Sequence, residues 1–239
     1  ERLSTVNRRF ENALDVGSSD QAASVLNGSA KHWTRIDFGE HDALAVEGGA
    51  FDLATSVLAL HTINDLPGAL IQIRHALKPD GLFMAAVFGG DTLREVKDVF
   101  ASGEEEIRGG ASPRVSPFAD VRDLGALLQR AGFALPVADS ERTTIRYRTF
   151  DRLISDLRAA GETNVLTQRS RKPLRRDVLA ASLSHYAQKH AETDGRLRAT
   201  FEVVYLTGWA PHESQQKALR PGSARARLAD ILGSSEQNA

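Results

Sequence analysis

The residues of this 239-residue chain whose types and spacing suit chemistry are aspartates and glycines at the ends of apolar runs. Asp15 and Gly17 close ALDVG (13–17) and are followed by Ser18, Ser19, Asp20 and Gln21. Asp37 closes HWTRIDF (32–38). A carboxylate accepts two hydrogen bonds in parallel, which suits the paired hydroxyls of a ribose at the carboxyl edge of a sheet. Glu40, His41 and Asp42 precede the next apolar run and can reach an adenine edge. Taken singly, such an acid is more simply read as a cap or a surface residue.

Other candidates carry two readings each. His61, beside Asn64 and Asp65, is a base or substrate contact, or a capping or packing histidine. Asp91, after Gly89-Gly90, caps a helix from Thr92 or faces an acceptor. Arg114, in a Gly/Pro-rich loop, clamps an anion or is a plain surface arginine. The cation-rich run RSRKPLRR (169–176) is a solvated loop or a docking patch for an acidic carrier protein or partner subunit. His212-Glu213 lacks the spacing of a metal motif, so no metal is expected.

The elements that must position these residues alternate. ALDVG, HWTRIDF, FDLATSVLAL (51–60) and LFMAAVFG (82–89) read as strands. A short helix over 19–27 is expected with Ser18 or Ser19 as its N-cap. DLPGALIQIRHAL (65–77) is amphipathic, with Asp65 placed to cap and Pro67 in the first turn. KPDG (78–81) reads as a turn in which Gly81 supplies positive φ. Helices follow at 92–107, 120–132 (with Gly132 as C′), 150–161 and 176–191, and strands at 134–148 and 198–210. Such alternation predicts an α/β fold with a mainly parallel sheet. The expected organisation is one domain over 1–239, with a helical insertion at 150–195 and a tail at 211–239.

Composition narrows the function classes. A net charge of −1 gives no bulk attraction to nucleic acid, and no such partner is expected. The absence of cysteine removes disulfides, thiolate nucleophiles and Cys-ligated metal sites. No apolar run is long enough for a transmembrane segment. Residue 1 is Glu and no signal-peptide pattern follows, so it is not expected to be the natural start.

FDLATSVLALHTINDLPGALIQIRHALKPDGLF resembles the core of class I S-adenosylmethionine (SAM) methyltransferases, and EHDALAV resembles the segment ahead of it. FGGDTLRE, GGASPRVSPFADVRDLGALLQRAGF and GWAPHESQQKALRPGSA resemble a subgroup. That subgroup holds BioC-like relatives of the malonyl-carrier O-methyltransferase and a related mitochondrial complex I assembly factor associated with arginine hydroxylation. The resemblance implies a Rossmann-like, seven-stranded-type sheet, SAM as cofactor, and methyl transfer to a small carboxylate, carrier-bound or protein acceptor. The alternatives it leaves open are a respiratory-complex assembly factor that hydroxylates arginine and a binding-only pseudo-methyltransferase. The implied location is the cytoplasm of a bacterium or the mitochondrial matrix of a eukaryote.

It also implies roles. Asp15, Gly17, Ser18 and Ser19 lie under the methionine of SAM, Asp37 on the ribose, and Glu40, His41 and Asp42 near the adenine. Ser56, Leu58 and Leu60 line the methionine side, while His61 and Asp91 face the transfer site. Two departures stand out. The family loop has glycines where this chain has Ser19 and Gln21, and Gln21 is expected to crowd the cofactor floor unless the loop shifts. Asp37 and Glu40 are nearly adjacent where the family inserts a helix and a strand. Either one βα unit is absent or residues are omitted from the sequence there; the second is the preferred expectation.

Overall fold

The computed structural model describes residues 2–39, 43–166, 169 and 172–216. Six strands form one sheet in the order β2-β1-β3-β4-β6-β5. They are β1 (Phe10–Val16), β2 (Ala30–Ile36), β3 (Phe51–Val57), β4 (Leu77–Phe88), β5 (Ala134–Tyr147) and β6 (Leu197–Trp209). β1 pairs in parallel with both β2 and β3, and β3 with β4. β6 runs antiparallel between β4 and β5. The chain steps to one side of β1 for β2 and to the other for β3, so the switch in strand order falls beside β1. In open α/β sheets a ligand crevice forms at that point, outside the carboxyl ends of the strands.

The central strands are near-continuous apolar runs because both faces of the sheet are covered. Leu53, Ala54, Thr55 and Ser56 of β3 are all buried. On one face, α2 (Leu66–Ala76) and α4 (Val121–Arg130) press Leu70, Ile73, Leu124 and Leu128 onto Leu14, Val16 and Phe83. Asp65 caps α2, its Oδ1 accepting from Gly68 N–H at 2.9 Å. Asp120 caps α4 by accepting from Arg122 and Asp123 N–H. Gly132, at φ 81°, ends α4 in the left-handed conformation that a β-carbon disfavours.

The 77–81 segment differs from its sequence reading. Residues 77–81 belong to β4, and the positive φ of 63° is at Asp80, not Gly81. A β-carbon on Gly81 would come within 2.9 Å of the Lys78 carbonyl, so close approach explains that glycine. Asp80 is held by Arg8, 3.1 Å from Oδ2, and by Gln215, whose Nε2 donates to Oδ1 at 3.0 Å. The GWAPHESQQ stretch thus latches onto KPDG.

Between β2 and β3 the described residues form no strand or helix, so β2 is the sheet's edge and the sheet has six strands rather than seven. Gly39 N–H donates to the Ala43 carbonyl at 2.9 Å, and Gly49 and Ala50 N–H bond to the end of α2.

β6 outruns β4: Leu197–Glu202 pair with β5 alone. On that ribbon, α3 (Arg94–Arg108), α5 (Phe150–Ala159) and α6 (Arg176–Lys189) build a second core around Val96, Phe100, Leu153 and Tyr186. Glu202 rivets the two cores together. Its Oε2 accepts from Asp91 N–H at 3.0 Å, its carbonyl accepts from Gly89 N–H at 2.8 Å, and its Oε1 lies 3.1 Å from Arg142 Nε. A β-carbon on Gly89 would sit 2.6 Å from Glu202 Oε2, whereas one on Gly90 would find nothing nearer than 3.7 Å. Gly89→Ala is expected to destabilise by about 1–3 kcal/mol through overpacking, and Gly90→Ala by much less. Thermal melts of the two variants check this, and equal melting temperatures would remove the close-approach explanation.

Candidate active site

The end of β1 is tied in three directions. Asp15 is buried; Ser18 Oγ lies 2.5 Å and Thr55 Oγ1 3.3 Å from its Oδ1, and Arg35 Nε lies 3.3 Å from its Oδ2. Ser18 Oγ also accepts from Val57 N–H at 2.9 Å, strapping the loop to β3. Arg35 faces Asp15 across the β1–β2 register and reaches on to Asp20 Oδ1 at 2.7 Å and the Ser19 carbonyl at 3.2 Å. Ser19 has φ −63° and caps α1 (Asp20–Leu26) by accepting from Ala22 N–H. Gln21 is exposed in the first turn of α1.

Gly17 keeps the positive φ, 72°, that only glycine adopts readily. A β-carbon there would lie 2.8 Å from Ala59 Cβ and 3.7 Å from Asp37 Oδ1, so the carboxyl ends of β1, β2 and β3 meet at this glycine. Asp37 is exposed, and its carboxylate has no partner among the described residues. Leu58 is partly exposed at φ 52°. Ser56 and Leu60 are wholly buried, and Ser56 Oγ donates to the Val16 carbonyl at 2.7 Å. Their side chains therefore serve the core. Glu40, His41 and Asp42 lie outside the described residues.

Two residues beyond Ala59, His61 stands on a 3₁₀ turn, Leu60–Thr62. Its side chain is 5% exposed. The ring meets Phe88 and Phe118 edge-on, with centroids 5.0 and 5.6 Å away. Nε2 lies 3.2 Å from Glu162 Oε2, while Nδ1 is buried without a hydrogen-bond partner among the described residues. Glu162 lies just past α5. There Gly161 at φ 79° and the bonds Glu162 N–H to Leu157 and Gly161 N–H to Arg158 form a Schellman cap that sets where Glu162 leaves the helix.

Phe88, Phe118 and Glu162 also line a cavity of about 780 Å³ between β4, α3, α5 and residues Thr163, Asn164, Leu174 and Leu179. Its wall is mostly apolar, with Leu93, Phe100 and Phe150 among the lining residues. The size is that of a small-molecule site. Arg158 lines it, is exposed, and has no ion-pair partner among the described residues.

Arg114 lines it too, but is not a free clamp. Its Nη2 lies 2.5 Å from Oε1 of Glu104, a fully buried carboxylate that also accepts from Ser112. Burial by itself would raise the Glu104 carboxyl, but Ser112 and Arg114 outweigh it and hold it below its ordinary value of 4.5. The GGASPR loop is thus pinned to α3 from within.

Asp91 neither caps α3 nor joins His61. Its Oδ2 lies 2.9 Å from Arg142 Nη2, and α3 starts after Leu93 with no side-chain cap. Of the cation-rich run, Arg175 pairs with Asp177 and Arg169 Nη1 donates to the Leu166 carbonyl, while Ser170 and Arg171 lie outside the described residues. His212 Nδ1 lies 2.8 Å from Ser214 Oγ. Among the described residues no group of three His, Asp or Glu stands close enough to hold a metal, and no helix is long and apolar enough to cross a membrane.

Sequence reasoning missed Arg35, Phe118 and Glu162. Arg35 becomes visible once β1 and β2 are put in register. Glu162 sits 101 positions from His61 and carries no local signal.

A family profile described as "Methyltransferase domain" matches residues 1–136. The mitochondrial arginine-hydroxylase NDUFAF5 of Homo sapiens is 35% identical over 254 positions, covering 97% of this chain and 73% of the relative. That alignment is longer than the 239-residue chain, so it includes residues with no counterpart here. The Dictyostelium discoideum protein of the same name is 42% identical over 190 residues, covering 80% of this chain. A malonyl-[acyl-carrier protein] O-methyltransferase of Nitrosospira multiformis is 32% identical, covering 88% of this chain and 63% of the relative. The chain spans only 44% of the Dictyostelium relative and 60% of its Danio rerio counterpart. Among solved structures, BH2331 of Bacillus halodurans has a TM-score of 0.59 at 15% identity, covering 88% of this chain and 98% of that one. The YcgJ protein of Bacillus subtilis has the same score at 13% identity. At those identities the likeness shows the fold.

Proposed function

Since this chain belongs to the methyltransferase-domain family, we propose that it transfers a methyl group from SAM to an acceptor lodged in the cavity between the sheet edge and the helical insertion. One observation carries the reading. Gly17 stands beside Ala59 and Asp37, and two residues after Ala59 His61 meets Phe88, Phe118 and Glu162, which line the cavity. Cofactor edge and acceptor pocket are thus joined by one short turn after β3.

The residues present fit the cofactor unequally. Gly17 leaves room for close backbone approach, and the Asp37 carboxylate, without a partner among the described residues, can take both ribose hydroxyls. Asp15, Ser18 and Ser19 act indirectly, by holding the loop. SAM supplies an electrophilic methyl on sulfonium. The protein's work is to orient the acceptor in line with that methyl and to exclude water, and proximity alone provides much of the rate. An apolar cavity with Arg158, unpaired among the described residues, on its wall suits a small carboxylate, or an acyl group delivered by an acidic carrier protein.

Arginine hydroxylation, the activity in the mitochondrial relatives' name, is a second reading. It is favoured by the Glu162 carboxylate, which shares the cavity with Phe88 and Phe118, a setting that suits a planar cation. Mass spectrometry of a treated acceptor separates added CH2 from added oxygen.

The first test is a thermal shift. SAM or S-adenosylhomocysteine at a hundred times Kd is expected to stabilise by about 2.7 kcal/mol, raising the melting temperature by roughly 5–10 °C for a chain of this length. No shift and no calorimetric heat at millimolar ligand would leave the binding-only reading in place.

A further inference from the structure

We propose that Arg114 is a specificity residue of the cavity, seating a carboxylate that the acceptor carries at the end of an apolar body, away from the atom that gains the methyl group. Arg114 lines the cavity, and its side chain keeps 20% exposure. Its Nε and Nη2 both donate to Glu104 Oε1, at 2.9 and 2.5 Å, which uses the side edge of the guanidinium. The end edge, made of Nη1 and the second N–H of Nη2, is spare. Nη1 bonds to no described residue and is not enclosed. Two parallel N–H groups at a fixed spacing match the two oxygens of a carboxylate.

The pair with Glu104 does not cancel the charge there. Arg108 Nη1 lies 3.6 Å from the same Oε1, so two guanidiniums share one buried carboxylate and the cluster stays net positive. The backbone is fixed as well: Asn164 Nδ2 donates to the Pro113 and Arg114 carbonyls at 2.9 and 3.2 Å. A fork held from both ends loses little freedom on binding. Its place is far from the crevice. Val96, which lines the cavity, and Glu104 are both on α3, about 12 Å apart along the axis. Phe88 and Phe118 are the lining residues that meet His61. The lining carboxylates, Asp151 and Glu162, make no ion pair with Arg114, and Glu162 is turned to His61. Arg158 is exposed on α5, where its charge draws an anion in. The inference rests on the methyl-transfer reading for the reacting end alone: the carboxylate is the handle, and the methylated group lies toward Phe88.

The test is calorimetric titration with octanoate and with octanol on the protein without SAM, so its outcome is independent of cofactor binding. The wild type should prefer octanoate. Arg114→Lys keeps the charge and loses the fork; octanoate should then bind about tenfold more weakly, with octanol unchanged. A residue that only pins its loop would weaken both ligands together. Arg158→Ala should cost octanoate less than Arg114→Lys does. If Arg114→Lys melts far below the wild type, crystals of the wild type grown with octanoate decide the matter. They should show the carboxylate within hydrogen-bond distance of Nη1 and Nη2 of Arg114. No preference in the wild type, an equal loss of both ligands or of neither in Arg114→Lys, a larger loss in Arg158→Ala, or a carboxylate seated elsewhere overturns the proposal.

Discussion

Glu104→Ala is expected to destabilise the protein by about 3–5 kcal/mol, the cost of breaking a buried ion pair from one side. The carboxylate is fully buried on α3 and gathers Ser112 N–H, Ser112 Oγ and both Nε and Nη2 of Arg114. Its removal leaves an arginine with 20% side-chain exposure facing a void. For a chain of this length the loss corresponds to a fall in melting temperature of roughly 6–20 °C. Glu104→Gln separates charge from volume, because it keeps the shape and loses the pairing.

The pH dependence has a definite sign. Glu104 is held below 4.5 in the folded state, and so is Glu95, where burial is outweighed by bonds from Thr200. Such groups contribute in full above the unfolded-state value and lose that contribution as pH falls through the lowered folded one. The gap between wild type and Glu104→Ala should therefore be constant near neutrality and close below about pH 4.5. A gap that persists in acid would mean the glutamate matters for packing alone. Since the loop it holds carries Arg114, Val115 and Phe118, all of which line the cavity, acceptor binding should weaken with it.

Asp37→Ala is the opposite kind of change. Asp37 is exposed and touches no described partner, so stability should move by less than about 0.5 kcal/mol. SAM affinity should fall about 100-fold, or about 2.8 kcal/mol, because two hydrogen bonds from ribose hydroxyls to a carboxylate are lost together. Calorimetric titration of both proteins with SAM checks it. Equal affinities would remove Asp37 from the site while leaving the fold untouched.

Both residues follow from local geometry, yet only Asp37 stood out beforehand. An aspartate ending an apolar run is visible because strand period and strand end are local properties. The same holds for Asp65 as a cap and for Gly132 as a helix stop, both of which the structure bears out. Glu104 lies in the charged run GEEEI, where nothing local separates the buried acid from its exposed neighbours. Gly81 shows the reverse error. Turn composition pointed to positive φ at the glycine, but close approach to Lys78 sets the backbone and moves the left-handed residue to Asp80.

The sequence by itself determined the alternating elements, the methyltransferase resemblance and the strand-end positions of Asp15, Gly17 and Asp37, since periodicity and capping act over a few residues. Only the tertiary structure decided what those residues touch. It tied Asp15 to Ser18, Thr55 and Arg35, put Gln21 in the open, reassigned Arg114 and Asp91 to ion pairs, and brought Glu162 to His61. The reason is one of range: hydrogen bonds and ion pairs act over a few ångströms of space, and folding makes neighbours of residues a hundred positions apart.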